Sequence, residues 1–130
     1  MNRPEQKIHI AVVENLRKRG VPGLVFFHPA NGGKRTPREA ALFKAMGVRA
    51  GVSDLILVHE SKIYALELKA EKGRASEAQM EFLSDIDAAG AFTAMPTGLS
   101  AALATLETWG LITGTTQIGR PLPSVNGVGG

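Results

Sequence analysis

Gly51-Val-Ser-Asp54-Leu-Ile-Leu-Val58, then His59-Glu-Ser-Lys62, then Ile63-Tyr-Ala-Leu-Glu67-Leu-Lys69, is the stretch on which the fold turns. Two apolar runs rich in aliphatic and β-branched residues flank a short polar break, the pattern of a β-hairpin. If the turn centres between Glu60 and Ser61, Asp54 faces Glu67 across the two arms. Directly opposed side chains share one face of a sheet, with Cβ atoms roughly 4.5–5.5 Å apart. Lys69, two residues beyond Glu67, points to that same face, and Leu66 and Leu68 point the other way, toward a core.

Like charges set directly opposite each other destabilise a sheet. Two carboxylates that close repel unless one is protonated or a cation lies between them. A hard divalent ion such as Mg²⁺ takes oxygen ligands and commonly uses one or two carboxylates plus substrate phosphate oxygens. A metal site formed by Asp54 and Glu67 therefore explains an otherwise unfavourable arrangement. The plainer alternative is a solvated Glu-x-Lys on an exposed strand, which the opposed Asp54 argues against.

Asp54, followed after a hairpin by Glu67-Leu-Lys69, resembles the active-site signature of the PD-(D/E)XK nuclease superfamily. The fuller strings Gly51-Val-Ser-Asp54-Leu and Ala65-Leu-Glu67-Leu-Lys69, with Ser76-Glu-Ala-Gln79 downstream, resemble its VRR-NUC branch over about residues 4 to 109. Ser53 stands where that signature usually has proline, which leaves the carboxylate in place. The resemblance implies a restriction-endonuclease-like αβββαβ core and Mg²⁺- or Mn²⁺-dependent cleavage of DNA. It also implies the Leu68 carbonyl as a further metal ligand and Gln79 beside the catalytic groups. A glutamate on the first helix often assists the metal in such proteins, and Glu5 fits that pattern better than Glu14. His28, at a strand end, is ordinarily no ligand, but the resemblance brings it nearer the site.

The totals are compatible with this reading. A chain of 130 residues is expected to form one domain with a modest core. The absence of cysteine excludes disulfides, thiolate zinc sites and thiol nucleophiles. No apolar run approaches the ~20 residues of a membrane span, and no signal-type stretch follows Met1, so a cytoplasmic location is expected. Charge is uneven: residues 1–50 hold ten Lys or Arg against three acids, and residues 51–112 hold four against nine. A basic half can contact phosphates, and an acidic half contains the proposed ligands.

Residues 4–19 predict an amphipathic helix, with Ile8, Val12 or Ala11, and Leu16 inward, Pro4 in the first turn and Gly20 at the stop. Arg17-Lys18-Arg19 suit its last turn, where cations complement the helix dipole; phosphate contact is the open alternative. Gly23–His28 predicts a buried strand. The loop Pro29-Ala-Asn-Gly-Gly-Lys-Arg35 offers Asn31, Lys34 and Arg35 to a phosphate, or is simply solvated. Thr36-Pro37-Arg38-Glu39 has capping-box form and starts a helix to about Met46, with Ala40, Phe43 and Met46 or Ala41 inward. Lys72 and Arg74 lie in a charged turn that is either along the substrate path or merely solvated. Ser76 to Gln79 is a second capping box, so Gln79 serves as a cap, in the site, or both. Phe82, Leu83 and Ile86 form that helix's buried stripe. Ala91–Met95 predicts a strand joined by a crossover connection, and Ser100–Trp109 a last helix with Trp109 as a packing anchor. Residues 113–130 form a Gly- and Pro-rich tail after a domain over residues 1–112. The order predicts an α/β layer fold with a mixed sheet.

These readings converge on a phosphodiester hydrolase. Asp54 and Glu67 are expected to hold the metal and Lys69 to orient water or stabilise charge; the resemblance implies the Leu68 carbonyl as a further ligand and Gln79 and Glu5 as assisting groups; and Asn31, Lys34, Arg35, Lys72 and Arg74 are the candidate nucleic-acid contacts. Stand-alone chains of this branch resemble archaeal-type Holliday junction resolvases, which implies a homodimer acting on branched DNA. A non-cleaving DNA-binding or assembly module, a restriction-type or general nuclease, and an RNA-processing nuclease are the alternatives.

Overall fold

The computed structural model describes residues 2–30 and 33–114. The chain runs α1 (Arg3–Arg19), β1 (Val25–Phe27), α2 (Pro37–Ala45), β2 (Leu55–His59), β3 (Lys62–Leu66), α3 (Glu77–Ala88), β4 (Phe92–Ala94) and α4 (Leu99–Thr108). The strands form one sheet in the order β1-β2-β3-β4. β1 and β2, and β2 and β3, pair antiparallel, whereas β4 joins β3 parallel after the α3 crossover. This is the mixed-sheet α/β architecture expected from the order of the elements.

The β2–β3 hairpin has the anticipated register. Leu55 faces Leu66, Leu57 faces Tyr64 and His59 faces Lys62. That leaves Glu60 and Ser61 as a two-residue turn, both with positive φ (47° and 66°). A turn with two left-handed residues is of the primed type, whose twist matches that of the strands it joins. Continuing the ladder by one step sets Asp54 against Glu67.

Alternation along the strands separates two faces. Leu55, Leu57, Tyr64 and Leu66 turn inward with Leu68 and pack against Val12 and Leu16 of α1, Leu103 and Leu106 of α4, and Leu111. Trp109 anchors this side as expected, its ring 5.1 Å from Tyr64. Arg19 closes the end of the layer: its side chain bonds Glu107 and the Thr113 carbonyl, and its own carbonyl accepts from the Thr113 N–H. The proposed tail beyond Gly114 lies outside the described residues.

Four packing expectations need correction. β1 is an edge strand, not a buried one: Val25 and Phe27 are 59% and 51% exposed, and only Phe26 turns toward the core. α2 buries no residue, and Met46 is 64% exposed. Its apolar residues have helical spacing, but no other element packs across them closely enough to exclude water. On α1 the buried positions are Glu5, His9, Val12 and Leu16, with Ile8 at the margin. Val12 and Leu16 are inward as expected; in the turn before them the adjacent His9 takes the inward place expected of Ile8. On α3 only Phe82 is buried, while Leu83 and Ile86 are half-exposed.

Candidate active site

The loop into β2 delivers Asp54. Ser53, 1% exposed, donates its hydroxyl to the Leu55 carbonyl. This local side-chain bond holds the bend where the superfamily pattern usually has proline. Asp54 Oδ2 accepts from the Leu68 N–H at 2.8 Å. The N–H groups of Glu67 and Lys69 donate to Ala94 and Pro96 on the opposite side. Main-chain groups alternate sides along an extended strand, so the Leu68 carbonyl is directed toward the Asp54 edge.

Glu67 is 1% exposed. Its Oε2 accepts from Gln79 Nε2 at 2.9 Å and lies 3.2 Å from Lys69 Nζ. Its Oε1 is buried with no hydrogen-bond partner among the described residues. Burial, and secondarily the Asp54 charge, push the Glu67 carboxyl up to about 7; Lys69 and the Asp54 backbone act in the opposite direction. The opposed acids thus repel in the folded chain, as the register implied.

Gln79 resolves the choice between cap and site by doing both. Its N–H donates to Ser76 Oγ, and its Oε1 accepts from the Ser76 N–H, completing the capping box of α3. The same Oε1 accepts from Lys69 Nζ at 2.9 Å while Nε2 holds Glu67. Lys69, 5% exposed, is therefore fixed between Glu67 and Gln79.

Gly51 sets how closely this helix approaches. Its φ is +79°, and a Cβ there would collide with the Ala78 and Gln79 backbone. Strained φ alone costs about 1–3 kcal/mol, and the collision must also displace the first turn of α3. Gly51→Ala is expected to lower stability by about 2 kcal/mol or more, and to reduce cleavage beyond what the unfolded fraction explains. Thermal melts paired with activity per folded molecule check this.

Glu5 comes from the first turn of α1. It is 8% exposed, and its Oε2 abuts Gly73 in the turn after Lys69, where a Cβ would come within 2.5 Å. No hydrogen bond or ion pair joins it to Asp54 or Glu67 among the described residues. Glu14 is exposed. One turn from Glu5, His9 turns inward and meets His28 edge-on, ring centroids 4.5 Å apart. Burial and then His28 lower the His9 pKa, with Asp54 opposing. His28 Nδ1 lies 2.6 Å from the Asp54 carbonyl, a bond in which the ring must donate. Sequence reading passed over His9. Its spacing of four from Glu5 was the available signal. Of the proposed nucleic-acid contacts, Lys34, Lys72 and Arg74 are exposed, Arg35 stacks on Phe43, and Asn31 lies outside the described residues.

No group of three or more His, Cys, Asp and Glu side chains forms a metal-type cluster among the described residues. The donors on offer are two carboxylates and a main-chain carbonyl. That set fits a hard divalent ion, which completes its shell with water and substrate oxygens.

The model of the VRR-NUC domain matches residues 3–98. The chain belongs to the VRR-NUC domain family. VRR-NUC is a nuclease-type domain, so this is a member of a nuclease family. The matched span contains Glu5, Asp54, Glu67, Lys69 and Gln79 and stops before α4. A solved VRR_NUC domain protein overlays with a TM-score of 0.67, covering 91% of this chain and 99% of that one, at 21% identity. At that identity the likeness shows the shared VRR-NUC fold. No curated protein matches the chain. Among the described residues, no helix is long and apolar enough to cross a membrane.

Proposed function

We propose that this VRR-NUC chain is a Mg²⁺- or Mn²⁺-dependent endonuclease that cuts branched DNA, Holliday junctions included, as a homodimer. The observation that carries the reading is the Glu67 carboxylate, buried with one oxygen unpartnered beside Asp54. Buried charged oxygens are costly unless something is there to meet them. Asp54, Glu67 and the Leu68 carbonyl would hold the ion. When bound, such an ion neutralises phosphate charge and lowers the pKa of its water.

The chain's own residues do the rest. Lys69 Nζ, held by Glu67 and Gln79, hydrogen-bonds the phosphate oxygen on which negative charge accumulates. Gln79 keeps that ammonium and the Glu67 carboxylate in fixed orientation. His28 donates to the Asp54 carbonyl and holds the end of β2 where the carboxylate is needed. Lys72 and Arg74, exposed in the turn after Lys69, flank the path of the backbone. Dimerisation draws support from the sheet face that carries the site. Val25, Phe27 and Ile63 share its parity and are 59%, 51% and 46% exposed. A self-complementary twofold contact there would set two sites in fixed relation.

Cleavage of a four-way junction, a flap and a linear duplex, with light scattering for the oligomer, tests this. Junction and flap are expected to be cut at least 10-fold faster than duplex, by a dimer. Equal cutting of all three indicates a general nuclease, sequence-fixed cuts a restriction-type enzyme, and metal-independent binding without cleavage a non-catalytic module.

A further inference from the structure

α2 contributes nothing to the core, yet it helps wall a cavity of about 700 Å³ between itself and the 47–51 loop. That volume lies in the range of small-molecule sites, about 300–1,000 Å³. Arg35, Phe43, Lys44 and Arg49 line it, with Gly47 and Gly51 among the small residues that keep it open. No acidic side chain is in the lining. The Arg35 guanidinium stacks over the Phe43 ring, 4.2 Å from its centroid. Arg49 reaches Asp85 of α3 at 2.6 Å and also lies over Phe82. Gly51 connects the cavity to the candidate active site: it lines one and packs against the Gln79 backbone of the other.

A flat aromatic and a stacked guanidinium, beside an ammonium and no carboxylate in the lining, suit a flat uncharged ring attached to a phosphate. We propose that this cavity receives one unpaired nucleotide of the DNA substrate, its base against Phe43 and its phosphate facing Lys44. The inference rests on the DNA-nuclease reading and deepens it, because it names a feature of flapped or bulged DNA, an unpaired base, that the chain recognises. Bases stacked on aromatic side chains bind with little dependence on sequence. An opening beside the catalytic residues accordingly selects for an unpaired base and not for a particular one.

The test uses the full chain and three duplexes: fully paired, with a single unpaired 2-aminopurine, and with an abasic residue at that position. The base-bearing bulge is expected to bind about 10-fold tighter than the paired duplex, with quenched 2-aminopurine emission. Phe43→Ala is expected to abolish both the preference and the quenching. Phe43→Trp is expected to retain them. Phe43→Leu, which keeps apolar bulk without the aromatic face, is expected to behave like Phe43→Ala and so separates stacking from packing. An unchanged preference in Phe43→Ala overturns the inference, as does an abasic bulge that binds as tightly as the base-bearing one. If none of the three duplexes is bound or cut, the nuclease reading itself fails; if all are cut alike without quenching, only the nucleotide site fails.

Discussion

Glu67→Gln is expected to abolish divalent-dependent DNA cleavage, by at least 10³-fold, while making the metal-free protein more stable at pH 8. Both effects come from one carboxylate. Burial and Asp54 raise its pKa from 4.5 to about 7. A carboxyl whose pKa is raised by folding binds more protons in the native state than in the unfolded one. Its contribution to stability is therefore complete below about pH 4.5 and is lost as pH rises through about 7. At ~1.4 kcal/mol per pH unit, a rise from 4.5 to about 7 makes the loss about 3 kcal/mol by pH 8. Glutamine can still accept from Gln79 Nε2 but carries no charge to desolvate. Thermal melts from pH 5 to pH 8 are expected to fall for the parent and to stay flatter for the variant. Mg²⁺ should raise the parent's Tm at pH 8 and leave the variant's unmoved. A variant that melts lower at pH 8 and still responds to Mg²⁺ would show that this carboxylate is structural.

Lys69→Met is expected to reduce cleavage by about 10²–10³-fold, the usual cost of removing one positioned donor from a developing oxyanion. Methionine keeps much of the buried volume, so packing changes little. The ammonium is also the cation that holds the Glu67 pKa down. Without it, Glu67 should resist ionisation further, and the Mg²⁺ concentration for half-maximal activity should rise. Residual activity that rises with pH would report this coupling. A rate equal to the parent's at saturating Mg²⁺ would remove Lys69 from the chemistry.

The register of the hairpin was legible because side chains alternate with period two and the two-residue turn admits one pairing. Asp54, Glu67 and Lys69 followed from that pairing alone. Burial of β1 and α2 was not legible. Val25, Phe27 and Met46 have the composition of core residues, and nothing local says whether a neighbour covers them. His9 was missed for a related reason. On α1 the apolar Ile8 looks like the inward residue, but in that turn the buried place goes to the His9 imidazole, which meets His28. Gln79 was ambiguous because a capping box and hydrogen bonds to Lys69 and Glu67 call for the same amide.

That shared amide ties the start of α3 to the chemistry. Opening of the first helical turn withdraws Gln79 Oε1 from Lys69 and Nε2 from Glu67 in the same motion, so there is no state in which the helix frays and the site stays assembled. Hydrogen exchange at the Ser76 and Gln79 amides, which proceeds from the opened turn, therefore counts the molecules whose site is taken apart at any instant.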